Sequence, residues 1–275
     1  TKVTLSSSLL ERRVSVEMMK DEPLVKDFIR PLEGKEYSLE EVVSKLSEFK
    51  DKMHSLSNKV IQAMAIYSKT ENSSLFISRN RELTQNYSWV NVSIGAVVRE
   101  GQKVQIGHDV AAYNSVEKSF EVAEAKLEGC VKLAEELLNA EAIVPGEYEI
   151  ITEPSITGLI AHEAFGHGVE MDMFVKNRAK ARDYVGEYVA SELVDMHDGA
   201  SSILSAASYF FDDDGVLAHD TLIIKKGILQ TGISDALSAL QLGTEPTGNG
   251  RRESTKRKAY SRMTNTWFAP GTSSV

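Results

Sequence analysis

His162-Glu163-Ala164-Phe165-Gly166-His167 places two imidazoles and one carboxylate within six residues. Two neutral nitrogen ligands beside a general base are the groups that a zinc-activated water requires. Residues 156–161, which come just before the motif, are mostly apolar and contain no proline. We therefore expect the motif to lie in a buried helix.

The spacing of the two histidines differs from that of the common zinc-peptidase motif. H-E-x-x-H places its histidines four residues apart on one face of a helix, whereas here they are five apart. Five residues correspond to roughly 140° around an ideal α-helix, which turns the two rings away from each other. A π-type turn would bring them into register, and Gly166 is a residue that permits such a distortion. On the hexapeptide alone, a metal site and an unrelated pair of histidines both stay open.

Further motifs follow in a fixed order along the chain. They are Gly-Val-Glu-Met-Asp at 168–172, Phe-Asp-Asp-Asp-Gly-Val at 211–216, Thr-Gly-Asn-Gly-Arg-Arg-Glu-Ser at 247–254 and Arg-Met-Thr-Asn-Thr at 262–266. This ordered set resembles the TldD/PmbA family of metallopeptidases, in its TldD-like branch that carries the HExxxH motif. The match is closest from about Gly146 to Gly271, and it is looser from Met53 to Ala140.

Each motif supplies candidate site residues. His162 and His167 are predicted to bind zinc, and Glu163 to act as the general base that passes a proton from water to the leaving amine. Glu170 and Asp172 either orient a ligand imidazole by accepting its other N–H, or are solvated carboxylates at a helix end. The remaining candidates, which would support the ligands or contact the substrate, are Asn249, Arg251 and Asn265.

A zinc peptidase site normally has three protein ligands. Candidates for the third within this chain are Cys130, His197, His219, Glu170 and Asp172. Cys130 lies in the apolar stripe of a long predicted helix, so a buried core thiol is the better interpretation, and the two histidines lie near turns, where surface roles are commoner.

The family resemblance implies a different third ligand, a cysteine from a C-terminal segment that would lie beyond Val275. We therefore expect this sequence to lack part of the C-terminal domain, as either a fragment or a naturally short relative. As written, it is expected to bind zinc weakly and to be inactive alone.

Composition limits the classes of function. The chain has 275 residues, 42% of them hydrophobic and 26% charged, which is ordinary for a globular protein. A net charge of −9 argues against nucleic acid as a partner. No apolar run reaches the length of a membrane span, and the start at Thr1 shows no signal-peptide core. The single cysteine fits a reducing cytoplasm.

The resemblance also implies a function and partners. It predicts a cytoplasmic zinc peptidase that holds unfolded peptides through their backbone, as a strand added to a sheet edge. It further implies a homo- or hetero-oligomer with a related TldD/PmbA subunit. The alternative is a non-catalytic regulatory or assembly subunit of such a complex, and a second competitor is a metal-dependent hydrolase of non-peptide substrates.

The pattern of elements predicts an α+β protein divided near Pro145-Gly146. Residues 1–145 should form a mixed or antiparallel sheet covered by helices, and residues 146–275 the first part of a mostly β metal-binding domain. The predicted helices are 39–68, which Ser55 to Ser57 would interrupt, and 115–139, while residues 235–240 are predicted to form a helix or a turn. The predicted strands are 74–78, 87–98, 103–106, 148–152, 208–211, 216–224 and 228–230, with turns at 212–215 and 225–227.

Overall fold

A computed structural model describes residues 20–272 and has the predicted α+β architecture. The chain forms two compact units that alternate along the sequence. The sheet-and-helix unit comprises Ile29–Ser73 and Asn86–Ile150, and the motif unit comprises residues up to Phe28, Ser74–Gln85 and residues from Ile151 onward. The chain therefore passes between the units at several points, one of which lies near residue 145. The division into two domains at Pro145-Gly146 stays a prediction.

From residue 20 onward, the first half of the chain contains four strands and two helices. The strands are β1 (Leu24–Arg30), β2 (Val60–Ile77), β3 (Arg81–Glu100) and β4 (Lys103–Tyr113), and the helices are α1 (Leu39–Leu56) and α2 (Val116–Asn139). In this sheet β3 lies between β1 and β2 and also pairs with β4. The β3–β4 ladder is antiparallel and runs from Val90 opposite Tyr113 to Glu100 opposite Lys103.

The start of α1 is fixed by a reciprocal cap, but the segment after it differs from the prediction. The Ser38 hydroxyl accepts from the Glu41 N–H at 3.2 Å, and the Glu41 carboxylate accepts from the Ser38 N–H at 2.8 Å. The helix ends at Leu56, within the interruption predicted at Ser55 to Ser57, and β2 begins at Val60, so the predicted continuation of the helix to residue 68 is wrong. Residues 60–68 pair with β3, a long-range contact that overrides local helical spacing.

Helix α2 matches its prediction and packs closely on the sheet. Ser115 caps its first turn by accepting from the Lys118 N–H. Cys130 is buried in the core, with its thiol 3.2 Å from the Gly107 carbonyl oxygen. A Cβ on Gly107 would lie 2.0 Å from the Cys130 carbonyl oxygen, so only glycine allows this approach. The predicted core thiol is confirmed, and burial raises its pKa.

The second half of the chain contains short elements. The helices are α3 (Pro154–Ile160), α4 (Met171–Val175) and α5 (Ala236–Leu242). The strands are β5 (Met196–Asp198), β6 (Thr221–Lys225), β7 (Ile228–Leu229), β8 (Gly250–Arg251), β9 (Tyr260–Ser261) and β10 (Thr266–Phe268). One antiparallel sheet has the order β10-β5-β6-β7, and β8 pairs with β9.

The predicted turns here are confirmed, whereas several predicted strands are wrong. Lys226 and Gly227 take positive φ values of 47° and 77° between β6 and β7, as the Lys-Gly turn requires. Residues 148–152 form no strand, and in the predicted hairpin around 212–215 only the Phe211–Leu217 bridge and β6 form. The reason is that the buried Asp212 side chain accepts the backbone N–H groups of Asp214, Val216 and Gly250.

Residues 1–19 and 273–275 lie outside the described part of the chain. The prediction that no signal-peptide core occurs near Thr1 concerns those residues and stays a prediction. Within residues 20–272, none of the helices combines the length and the apolar character that crossing a membrane requires.

Candidate metal centre

The motif lies on a π turn. Helix α3 runs directly into a π-helical turn over Ala161–Gly166, and a short 3-10 turn over His167–Val169 follows. The backbone N–H of His167 donates to the carbonyl oxygen of His162, five residues earlier. The departure from α geometry predicted from the histidine spacing is therefore confirmed. Such single π turns occur frequently at functional sites.

The π turn brings the two imidazoles together. The ring centroids of His162 and His167 are 4.8 Å apart, at an interplanar angle of 83°. Ligand atoms of His162, Glu163 and His167 all lie within 4.8 Å of one another. His162 is half-buried, and Glu163 and His167 are exposed, so the three groups are accessible to a metal ion and to a substrate.

The expectation of a buried motif helix is wrong. Helix α3 has no buried residue in the described structure, and Ile156, Leu159 and Ile160 are 50%, 55% and 41% exposed. Apolar side chains are often exposed to solvent, so the apolar composition of a helix does not by itself show that the helix is buried. The helix and the π turn do contact β10, which places the motif beside that strand.

Gly166 is needed for its size rather than for its backbone freedom. Its φ and ψ of −53° and −54° are ordinary helical values that any residue adopts. A Cβ at this position would lie 2.0 Å from the Met263 sulfur and 3.2 Å from the Ala161 carbonyl oxygen. The predicted role in permitting the distortion is therefore corrected: the missing side chain lets Met263 pack against the π turn.

Glu170 connects the motif to an arginine. Its Oε1 lies 3.3 Å from His167 Nδ1, and its Oε2 accepts from Arg262 Nη1 at 3.1 Å. The side chain is 4% exposed, and burial raises its pKa, while Arg262 and His167 act in the opposite direction. A proton on His167 Nδ1 directed at Glu170 leaves Nε2 as the ligand atom. Sequence reasoning proposed Glu170 for this contact but did not single out Arg262 as its partner.

Asp172 has a different environment. Its Oδ2 lies 2.6 Å from Lys176 Nζ, one turn along the chain, and its Oδ1 is buried without a hydrogen-bond partner among the described residues. No contact with either motif histidine is present in the described structure. These contacts favour a role in stabilising α4 over one in orienting a ligand.

The two predicted asparagines are buried and hydrogen-bonded within the protein. The Asn249 amide donates to Asp198 Oδ1 at 2.7 Å and to the Arg262 carbonyl at 3.0 Å. The Asn265 amide donates to Ser208 Oγ at 2.9 Å and to the Ile203 carbonyl at 3.1 Å. Both side chains therefore hold loops in place. Arg251 is exposed and donates to the Met263 carbonyl at 2.9 Å, which leaves it accessible to a substrate.

Asp198 is a structural residue that the sequence did not reveal. It is 1% exposed and accepts from the Thr264 N–H, the Thr264 hydroxyl and the Thr266 hydroxyl. It thereby fixes the segment that carries Met263 and leads into β10. The two threonines of the Thr-Asn-Thr motif indicate that this segment has hydroxyl donors to offer. Nothing in the sequence near Asp198 identifies it as the acceptor.

None of the other candidates for a third ligand joins the motif histidines. Cys130 belongs to the core of the sheet-and-helix unit. The ring of His197 stacks on Trp267 at 4.9 Å, and its Nδ1 lies 3.0 Å from Asp220. His219 is exposed. In residues 20–272, His162, Glu163 and His167 form the group of potential metal ligands.

The donor set fits zinc. Two imidazoles on one turn, one of them held by a buried carboxylate, are ligands that zinc prefers.

Comparison with known proteins decides the family. Residues 145–275 match the PmbA/TldA metallopeptidase C-terminal domain. The chain belongs to the TldD/PmbA family. A metalloprotease of Synechocystis sp. is 28% identical over 263 residues, which cover 92% of this chain and 56% of that protein. A zinc metalloprotease TldD homolog of Saccharolobus solfataricus is 28% identical over 265 residues, which cover 91% of this chain and 55% of that protein.

A TldD/PmbA-type fold is also found among solved structures. TldE from Thermococcus kodakarensis superimposes with a TM-score of 0.67 at 20% identity, over 98% of this chain and 62% of that one. At this identity the likeness shows the fold. The chain spans about half the length of the curated relatives that it matches.

Proposed function

We propose that this TldD/PmbA protein is a zinc-dependent peptidase that acts on unfolded peptides in the cytoplasm. The observation that carries the proposal is the π turn, which gathers His162, Glu163 and His167 into one accessible group. The metalloprotease names of its relatives support a peptidase.

The chain's own residues have separate roles in this mechanism. His162 and His167 would hold the ion, and Glu170 would keep His167 in the tautomer that presents Nε2. When bound, zinc supplies Lewis acidity that activates water and polarises a carbonyl group. Glu163, exposed beside His162, would accept the proton of the attacking water and deliver it to the leaving amine.

Strand β10 offers a place for the peptide backbone. It is one of the two edge strands of its sheet in the described part of the chain, and it contacts the π turn. A peptide added along this edge would pass beside the motif, with main-chain hydrogen bonds providing affinity. Folded proteins should therefore be poor substrates. The third ligand would come from outside the described residues, and a cysteine is the residue proposed.

The first test is Glu163→Gln in the protein purified with its complete natural reading frame. We expect the variant to retain zinc and to lose peptidase activity on unfolded casein by roughly 10²-fold or more, since a positioned acid–base group is removed. Glu153→Gln, an exposed glutamate at the start of α3, is the matched control and should keep its activity. Wild-type rates in Glu163→Gln would exclude the proposed base.

The alternative is a non-catalytic regulatory or assembly subunit of a TldD/PmbA-type complex. It is kept because the family includes structures such as TldE, whose fold this chain shares. A homo- or hetero-oligomer with a related subunit is proposed in either case. Zinc binding without Glu163-dependent turnover, alone or mixed with a related subunit, would favour the alternative.

A further inference from the structure

An arginine-rich pocket lies in the motif unit. It has a volume of about 320 Å³ and is lined by Arg251, Arg252, Glu253, Arg257, Tyr260 and Arg262. Four guanidinium groups and one carboxylate line it, so its wall carries an excess of positive charge in a chain whose net charge is −9. The charge of this pocket is thus opposite in sign to that of the whole chain.

Acidic neighbours neutralise this charge only in part. Arg252 lies 3.6 Å from Asp214, and Arg257 lies 3.8 Å from Glu253, whose side chain is 80% exposed. Both distances are long for an ion pair, and exposed pairs of this kind contribute little. The side chains of Arg252 and Arg257 are 44% and 61% exposed, so both can turn toward a ligand.

Tyr260 gathers further cations at the pocket wall. Lys258 Nζ lies 4.1 Å from its ring centroid, Lys176 Nζ lies 5.2 Å away, and Arg262 Cζ lies 5.5 Å away. Cations over an aromatic face are stabilised by the ring, which helps to hold them close to one another. Of the three, Lys176 also pairs with Asp172 and Arg262 with Glu170. The arrangement suits a planar anion, because guanidinium groups bind carboxylates through two parallel hydrogen bonds.

The pocket is connected to the metal motif by two contacts. Arg262 Nη1 lies 3.1 Å from Glu170 Oε2, and Glu170 Oε1 lies 3.3 Å from His167 Nδ1. The guanidinium group of Arg262, which lines the pocket, is therefore roughly 10 Å or less from the His167 imidazole, a span of about three residues of extended chain. A peptide cleaved at the motif would have a group within reach of the arginines.

We propose that this pocket binds a carboxylate of the peptide substrate, within about three residues of the scissile bond. The proposal rests on the proposed peptidase function, whose substrate class it narrows. The carboxylate is either the free C-terminus of the peptide or an aspartate or glutamate side chain. A substrate that presents one of them should be held by Arg252 and Arg257, with Arg251 and Arg262 completing the wall.

Binding to the metal-free protein tests the pocket without relying on catalysis. Three unfolded peptides, each labelled with the uncharged dansyl group, would be compared by anisotropy: one with a free C-terminus, the same sequence amidated, and the amidated peptide with one internal residue replaced by glutamate. We expect at least one carboxylate peptide to bind about tenfold more tightly than the neutral one, and the preferred arm identifies the source of the carboxylate. Equal affinity for all three peptides, or no binding, would overturn the proposal.

Variants connect that preference to the pocket. Arg252→Gln combined with Arg257→Gln should abolish the tenfold preference, whereas Arg99→Gln, an exposed arginine of β3, should keep it. Thermal melts would check that the double variant is folded. If the double variant kept the preference, the carboxylate would bind elsewhere and the proposal would be wrong.

Kinetics separate this proposal from the peptidase function. In the zinc-loaded enzyme, the double variant should raise KM for the carboxylate peptide about tenfold and leave kcat unchanged, since the arginines bind but do not react. A lowered kcat with unchanged KM would overturn the binding role. Absence of turnover of every peptide would reject the peptidase function, while a carboxylate preference in the metal-free protein would still support the pocket.

Discussion

At the scale of single residues, the site depends on a contact that no spacing rule describes. Gly166 and Met263 are almost a hundred positions apart in sequence, yet a Cβ on Gly166 would lie 2.0 Å from the Met263 sulfur. The π turn that carries the two histidines is thus packed against the segment that leads into β10. Asp198 fixes that segment by accepting hydrogen bonds from the Thr264 and Thr266 hydroxyls.

Gly166→Ala tests this contact. We expect it to lower the free energy of unfolding by about 1–3 kcal/mol, the usual cost of forcing an extra methyl group into a packed site. Met263→Ala in the same chain should recover part of the loss, because it removes the clashing sulfur. Gly168→Ala is the matched control, since a Cβ there meets no atom within 4 Å.

Urea melts of the wild type, Gly166→Ala, Met263→Ala and the doubly substituted chain give the double-mutant cycle. The expected result is a coupling energy between positions 166 and 263 of about 0.5 kcal/mol or more. Additive effects, or a Gly166→Ala chain as stable as Gly168→Ala, would show that the contact does not hold the turn.

At the scale of elements, the π turn accommodates one residue more than a regular helix would. Five residues of a π turn and four residues of an α-helix both bring the first and last side chains to one face. Deleting the exposed Ala164 should therefore convert the turn into regular α-helix with H-E-x-x-H spacing, without shifting the flanking segments. Inserting an alanine at the same place should turn the rings apart.

Zinc affinity is the measurement for this pair of variants. In a chelator competition, we expect the variant without Ala164 to bind zinc within about tenfold of the wild-type affinity. The insertion variant should lose far more zinc affinity, since losing even a residue that orients a ligand costs 10–100-fold. A deletion that lost zinc as completely as the insertion would mean that the π turn itself, rather than the shared face, is required.

The elements also show what the sequence could predict. Helix α2 and the Ser38 cap of α1 follow from local signals, and so does the Lys226-Gly227 turn. The histidine spacing predicted the π turn because two side chains five residues apart on a regular α-helix point in different directions. The interruption at Ser55 to Ser57 marked the end of α1, but the strand that follows over residues 60–68 could not be predicted, since pairing with the distant β3 decides it. The local pattern at 148–152 favoured a strand that does not form.

At the scale of the whole molecule, the second half of the chain is held by buried carboxylates as much as by apolar packing. Asp198, Asp212 and Asp235 are each 3% exposed or less, and each accepts hydrogen bonds from at least one segment distant in sequence. Sequence alone does not reveal this, because a buried aspartate and a solvated one look alike. The same uncertainty made Asn249 and Asn265 candidates for substrate contact, whereas their amides bind neighbouring loops.

Asp212 gives this arrangement a pH dependence. Burial raises its pKa from 3.8 to about 7, although the N–H groups of Gly250 and Val216 favour the ionised form. The folded protein then keeps a proton that the unfolded chain releases above about pH 4. The stability due to this group is therefore fully present below pH 4 and is lost as the pH rises through about 7.

Urea melts of metal-free protein between pH 4.5 and 7.5 would measure the effect. The stability of the wild type relative to Asp212→Asn should fall with increasing pH, by at most about 1.4 kcal/mol per pH unit for one proton. Asp213→Asn, which alters an exposed neighbour, is the control. A difference that stays constant or grows with pH would contradict the assignment.

The proposed function depends on His162 and His167 holding zinc together on the π turn. The most direct measurement is the zinc affinity of the wild-type protein and of the His162→Ala, His167→Ala double variant, by competition with a chromophoric chelator. Loss of both ligands should weaken binding by at least about 10²-fold, more than the loss of an orienting partner does, with the fold intact by circular dichroism. Equal zinc affinity in the two proteins would contradict the account.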